Sequence, residues 1–200
     1  VVFEKKIVDG ERVTSGDIIA EIKGNTRALL KGERTALNLL QHLSGIATKT
    51  MNLCDKIKGT KSKVVDTRKT TLGLRALEKY AVRVGGGNNH RFSLSDGVMI
   101  KDNHIKAAGG IKEAVKKIRE KIPHTIKIEV ETETLEQVKE ALEAGADIIM
   151  LDNMGGDKIK KAVKIVSGKA VIEASGNVDS DSISAIAEAG VDIISVGSLT

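Results

Sequence analysis

The sequence predicts an α/β fold: a (β/α) barrel of about seven parallel strands, preceded by the β-rich remnant of a separate N-terminal domain. Three observations carry that reading. From residue 60 onward, short β-branched runs alternate with stretches whose apolar residues are spaced three and four apart. Apolar residues make up 40% of the chain but aromatics only 2%, namely Phe3, Tyr80 and Phe92, so the core must be aliphatic. That palette suits a parallel sheet covered by helices, whose strands are buried on both faces. Finally, EAGADIIML at 143–151 returns as EAGVDIISV at 188–196, a helix end, a glycine and a buried strand in the same order. Repeated units with short links imply right-handed crossovers. An open doubly wound sheet is the competing arrangement.

Taken in order, residues 1–8 and 17–23 read as strands, with turns at Asp9-Gly10 and Ser15-Gly16. A linking helix is expected from about Glu33 to Lys58, with Ala36, Leu40, Leu43, Ala47, Met51 and Cys54 on one face. The expected division is therefore 1–32 as the N-terminal remnant, 33–58 as the link and 59–200 as the barrel. Barrel strands are expected at 62–66, 82–85, 97–100, 125–130, 147–151, 170–174 and 192–196. Between them, Ile111, Val115, Ile118 and Ile122 form an apolar stripe ended by Pro123. Leu135, Val138 and Leu142 form another before Gly145; similar stripes precede Gly168 and Gly190. The absence of an initiator Met and the ending in a sheet-like run suggest a chain clipped at both ends.

Composition narrows the function. Two hundred residues suit one domain, or one plus a fragment of another, burying about 70% of the chain's surface. A single cysteine, Cys54, cannot form an internal disulfide; an inert buried thiol in a cytoplasmic protein is the expectation. There is no apolar run of membrane-spanning length and no signal peptide, so no membrane partner is expected. The net charge of +5 raises the question of nucleic acid, but most lysines share helix faces with glutamates, as in 112–121. Sparse aromatics also leave no platform for stacked bases.

In a parallel barrel, chemistry collects at the C-terminal ends of the strands. Just past the expected strands lie Asp66-Thr67-Arg68-Lys69-Thr70, then Gly85-Gly86-Gly87-Asn88-Asn89-His90-Arg91, then Lys101-Asp102-Asn103-His104. Glu129 and Glu131 follow, then Asp152-Asn153, then Glu173, Ser175 and Gly176, and last Gly197-Ser198. Singly, each has a plainer explanation. Arg68-Lys69 resembles many ion-paired surfaces, the glycines resemble a flexible turn, and His90 and His104 lack metal-ligand spacing. Lys101, an ammonium at the end of a buried strand, demands a partner. It suits either a Schiff-base lysine or a fixed cation for an anionic substrate.

ERTALNLLQHLSGIAT at 33–48, VVDTRKTTLGLRALEKYAVRVGGGNNHRFSLSDGVMIKDNHI at 64–105, IEVET and MLDNM resemble the quinolinate phosphoribosyltransferase family over nearly the whole chain. The resemblance implies an N-terminal α/β sandwich domain, of which residues 1–32 are a remnant. It implies phosphoribosyl transfer from phosphoribosyl pyrophosphate to quinolinate with release of pyrophosphate and carbon dioxide. On the family pattern Arg68, His90, Arg91 and Lys101 hold the two substrate carboxylates, with Arg34 donated by a second subunit of a dimer. Lys69, beside Thr67, contacts the pyrophosphate. Glu131 and Asp152 hold the ribose hydroxyls and a magnesium ion. The backbone of Ser175, Gly176 and Asn177 and of Gly197, Ser198 and Leu199 receives the 5′-phosphate. The family's loop usually reads Ser-Gly-Gly; here Asn177 takes the last place, a residue that tolerates left-handed dihedrals. The competing activities are phosphoribosyl transfer to nicotinate without decarboxylation and a Schiff-base lyase using Lys101.

Overall fold

The computed structural model describes residues 1–200. Near the N-terminus β1 (Val2–Lys5) and β2 (Ala20–Lys23) form an antiparallel pair with Phe3 opposite Ile22. Helix α1 (Thr26–Lys56) follows, earlier than its expected start at 33, because Asn25 caps it by accepting from the Ala28 N–H. Its buried stripe also differs from expectation. Ile46, Thr50 and Leu53 are covered, with Leu43 and Cys54 beside them, whereas Ala36 and Leu40 are exposed. The fully buried residues of the helix all lie in its second half; in the first, Leu29, Leu37 and Leu39 are half-buried. Cys54 is half-buried, and burial pushes its thiol pKa up, in keeping with an unreactive side chain.

The barrel strands are β3 (Lys63–Val65), β4 (Val98–Ile100), β5 (Ile128–Thr132), β6 (Ile148–Asp152), β7 (Val171–Ser175) and β8 (Ile193–Ser195). They form one parallel sheet in the order β3-β8-β7-β6-β5-β4. The first strand pairs with the last, Val64 opposite Ile194. A doubly wound sheet does not do this; a sheet rolled on itself does. Residues 82–85 are not a strand. They lie at the end of α2 (Arg75–Val84), where Glu78, Lys79, Ala81 and Val82 are buried at helical spacing. Four residues containing two valines are too few to separate a period of two from the end of a helix. The missing strand is reduced to a single parallel bridge between Val65 and Asn88.

Helices α3 (Asp102–Ala108), α4 (Ile111–Arg119), α5 (Leu135–Glu143), α6 (Gly156–Val166) and α7 (Ile183–Glu188) complete the crossovers. A capping box starts α5, Thr134 and Gln137 each accepting the other's backbone N–H. The core lies between sheet and helices. Ile100, Ile128, Val130, Ile149, Leu151, Ile172 and Ile194 are at most 2% exposed. Each such side chain contributes about 1.5–3 kcal/mol through burial. The alternate residues face the barrel interior and are largely polar: Glu129, Glu131, Asp152, Glu173, Ser175 and Ser195. No helix is long and apolar enough to cross a membrane.

Candidate active site

A cleft of about 780 Å³ opens at the C-terminal ends of the strands. It is lined by Thr67, Arg68 and Lys69 after β3, by His90 and Arg91, by Met99 and Lys101 on and after β4, and by Glu131 on β5. Across from them stand Asp152 and Asn153, Ser175, Gly176 and Asn177, and Gly197 and Ser198. The residues expected at a site thus meet in one place, apart from two. Arg34 is exposed on α1, outside this cleft. Leu199 packs its side chain into the core and gives its N–H to the Val196 carbonyl. An apolar side chain at the last turn is worth more inside than facing an anion site.

The cationic side of the cleft is fixed by buried side chains. Asp66, fully buried at the end of β3, accepts from Lys79 Nζ, from Asn89 Nδ2 at 2.6 Å and from the His90 N–H at 2.8 Å. Lys79 also donates to the His90 carbonyl at 3.0 Å. The ion pair between Asp66, after β3, and Lys79 of α2 therefore holds the 88–91 loop. Arg75 ties the neighbouring loops, donating to Thr70 Oγ1, to the Arg68 carbonyl and to the Phe92 carbonyl at 3.1–3.2 Å. Glu78 accepts the Thr71 N–H at 3.0 Å and pairs with His42 of α1 at 2.7 Å. Although its burial acts the other way, these bonds hold the Glu78 carboxyl below its usual pKa.

The glycine run is a packing device rather than a flexible turn. A Cβ on Gly85 would overlap the Ala47 carbonyl of α1, and one on Gly87 would lie 2.7 Å from Thr50 Cγ2. Gly86 between them has φ +88°, which favours glycine. The loop can thus lie directly on α1, bringing Arg91 inward. There Arg91 donates to the Gly97 carbonyl at 2.9 Å and touches Met99 Sδ at 3.6 Å. Burial, and then the nearby Arg68, lower its pKa. Arg68 keeps a buried Nε without any partner. Two guanidinium groups crowded together, one with an unmet donor, form a site that an anion would satisfy.

His90 behaves differently from the neighbouring cations. Its Nδ1 accepts the Arg91 N–H at 2.8 Å, and its Nε2 faces Glu129 at 3.3 Å and Glu173 at 3.5 Å. Both ring nitrogens are therefore engaged by the protein, and neither points freely into the cleft. Burial alone would lower the His90 pKa, but the two carboxylates reverse this and raise it to about 10. Burial raises Glu129 as well, against the opposing pull of His90. His90 and the Glu129 carboxyl are therefore linked in their hold on a proton. A second proton on the ring would set an Nδ1–H against the Arg91 N–H, so that contact opposes the charge which the two carboxylates favour. The three groups could gather round a metal ion, but binding through Nε2 needs that same unfavourable Nδ1–H. The sequence places Glu129 and Glu173 among the polar strand ends but assigns them no role. The alternation in IEVET and VIEAS, which puts them on one face with Glu131 and Ser175, is the signal for their place in the interior.

At the centre, Lys101 donates to Glu131 Oε2 at 2.7 Å. This is the partner that its position demanded. The Lys101 side chain is 46% exposed. On the far side, Asp152 accepts from Asn153 Nδ2 at 3.0 Å, and Gly176, at φ +95°, lets the backbone after β7 turn over it. Thr67 accepts the Lys69 N–H at 3.0 Å, and Thr200 donates to the Lys69 carbonyl at 2.9 Å. Cations and a glycine-lined loop thus face one another across a gap.

Residues 46–200 match the C-terminal domain, and residues 1–44 the N-terminal domain, of quinolinate phosphoribosyl transferase. The chain belongs to the quinolinate phosphoribosyl transferase family. It is 52% identical to the probable nicotinate-nucleotide pyrophosphorylase [carboxylating] of Bacillus subtilis over 96% of its length, covering 66% of that protein. It is 43% identical to the nicotinate-nucleotide pyrophosphorylase [carboxylating] of Mycobacterium leprae, covering 98% of this chain and 69% of that one. The structure of the nicotinate-nucleotide pyrophosphorylase from Francisella tularensis superimposes with a TM-score of 0.95 at 48% identity, covering all of this chain and 71% of that one. The chain thus spans slightly less than two thirds of the Bacillus subtilis relative.

Proposed function

We propose that the cleft catalyses phosphoribosyl transfer from phosphoribosyl pyrophosphate to quinolinate, giving nicotinate mononucleotide, pyrophosphate and carbon dioxide for NAD synthesis. The observation that carries this reading is the convergence of Arg68, Arg91 and Lys101 on one side of a cleft whose other side is a glycine-lined loop. A flat diacid beside a sugar phosphate fits both halves. Guanidinium forks hold carboxylates in position and angle at once. A monoacid such as nicotinate would leave the crowded arginines undercompensated.

In this mechanism Arg68, Arg91 and Lys101 orient quinolinate so that its ring nitrogen faces the anomeric carbon. His90, with both nitrogens engaged, supports Arg91 rather than adding a free donor. Lys69 neutralises the departing pyrophosphate. Ser175, Gly176, Asn177, Gly197 and Ser198 receive the 5′-phosphate through backbone N–H groups. Glu131 and Asp152 stabilise positive charge developing on the sugar. Loss of carbon dioxide leaves the bonding pair on C2 as a carbanion stabilised by the adjacent quaternised nitrogen, and C2 then takes a proton from water. Glu131 and Asp152 are hard oxygen donors with no thiol or imidazole between them, a set that suits magnesium retaining water. That ion would neutralise pyrophosphate oxygens. A half-exposed Lys101 paired with a carboxylate suits a fixed cation better than a Schiff-base nucleophile, which is usually held in an apolar pocket.

We further infer a cytoplasmic homodimer in which Arg34 of one copy reaches the cleft of the other. Its exposure on α1, away from its own cleft, supports this. Calorimetric titration with quinolinate and then nicotinate tests the substrate, and labelled carbon dioxide release tests the reaction. Equal affinity for both acids, or transfer without carbon dioxide, would sink the proposal.

A further inference from the structure

Asn153, directly after Asp152, stands in left-handed backbone at φ +51°. The ladder between β6 and β7 ends at Asp152 opposite Ser175. Beyond that pair the two chains are joined through Asn153. Its N–H donates to the Ser175 carbonyl at 2.9 Å, and its Nδ2 donates to Asp152 Oδ2 at 3.0 Å. Its Oδ1 accepts from Asn177 Nδ2 at 3.2 Å. The same oxygen lies so close to Gly176 that a Cβ there would overlap it. Asn177 is itself left-handed, at φ +49°. Both polar atoms of the Asn153 side chain thus hold a partner within the protein, although the residue lines the cleft.

We infer that Asn153 is a positioning residue that straps the 175–177 loop to Asp152, so that the phosphate and the ribose of the sugar donor are bound as one rigid unit. This rests on the function proposed above. In that arrangement Asn177 is the second half of the strap. Its amide closes a bond that a glycine at this place could not make. The strap acts on the sugar donor alone, because quinolinate is held by residues on the other side of the cleft.

Asn153→Gly is the decisive variant, because glycine keeps the left-handed backbone without strain while removing the side chain. Binding of magnesium phosphoribosyl pyrophosphate and of quinolinate is measured separately by calorimetry. Asn153→Gly should weaken the sugar donor about tenfold or more and leave quinolinate within about twofold. In turnover, KM for the sugar donor should rise while that for quinolinate holds. Asn177→Gly alone should weaken the sugar donor severalfold, and should cost nothing further when added to Asn153→Gly. Sugar-donor binding by Asn153→Gly within about twofold of the parent overturns the inference, as does equal loss for both ligands. A parent chain that binds neither ligand overturns the proposed function and this inference together; one that binds both isolates the strap for judgement.

Discussion

The two sides of the cleft are built by different means. On the cationic side, between β3 and β4, side chains hold the loops: Asp66 with Lys79 and Asn89, Glu78 with His42, and Arg75 across three acceptors. On the opposite side, from β6 to β8, the main-chain ladder runs up to the loops, and the loops turn on glycine and left-handed asparagine. The first kind of construction places charged groups that must point in particular directions. The second presents backbone N–H groups on a path set by the main chain, which the Asn153 and Asn177 amides tie down. Damage to one side should therefore spare the other.

The largest effect should come from Lys79→Ala, which leaves the Asp66 carboxylate buried and unpaired. Removing one member of such a pair costs about 3–5 kcal/mol of folding stability. Urea unfolding should register it, and at a temperature where the variant stays folded, quinolinate binding should suffer more than sugar-donor binding. Equal losses would erase the distinction between the two sides. Next, Arg91→Ala and Lys101→Ala should each lower kcat/KM by the equivalent of about 2–5 kcal/mol if each pairs with a desolvated carboxylate. Steady-state rates within about threefold of the parent would remove that residue from the site. Gly85→Ala, pressed against the Ala47 carbonyl, should cost about 1–3 kcal/mol in thermal unfolding.

The mildest test concerns pH. The folded pKa of His90, about 10, lies above the unfolded value of 6.5. The stabilisation that the trio provides is therefore complete below about pH 6.5 and is lost as pH climbs through about 10. Glu129→Gln should flatten the stability profile over that window. An unchanged slope would mean that the proton is held elsewhere.

The sequence was informative in proportion to how far main chain alone builds a region. Strand ends at Asp152, Ser175 and Gly197 were readable in chain order because period-two runs and glycines mark them directly. The 82–85 segment misled because Val82 and Val84 suit a helix end as well as a strand, and only contact with α1 decides between them. Asp66 and Lys79 are thirteen residues apart, a pairing no local pattern reveals. The polar interior at Glu129 and Glu173 ran against the expectation of strands apolar on both faces, although their alternation was visible. The early start of α1 turned on one capping asparagine.

The reduction of a strand to the single Val65–Asn88 bridge has a mechanical consequence. A cylinder missing one stave is weakest along that line, and here β4 has no strand on its outer flank. Arg68 stands on one bank of this seam and Lys101 on the other, with Arg91 reaching Gly97 from the loop between. A rigid molecule gripped by all three acts as a rivet. Filling the cleft should slow amide exchange along Val98–Ile100 more than along β6, where the cylinder is already whole.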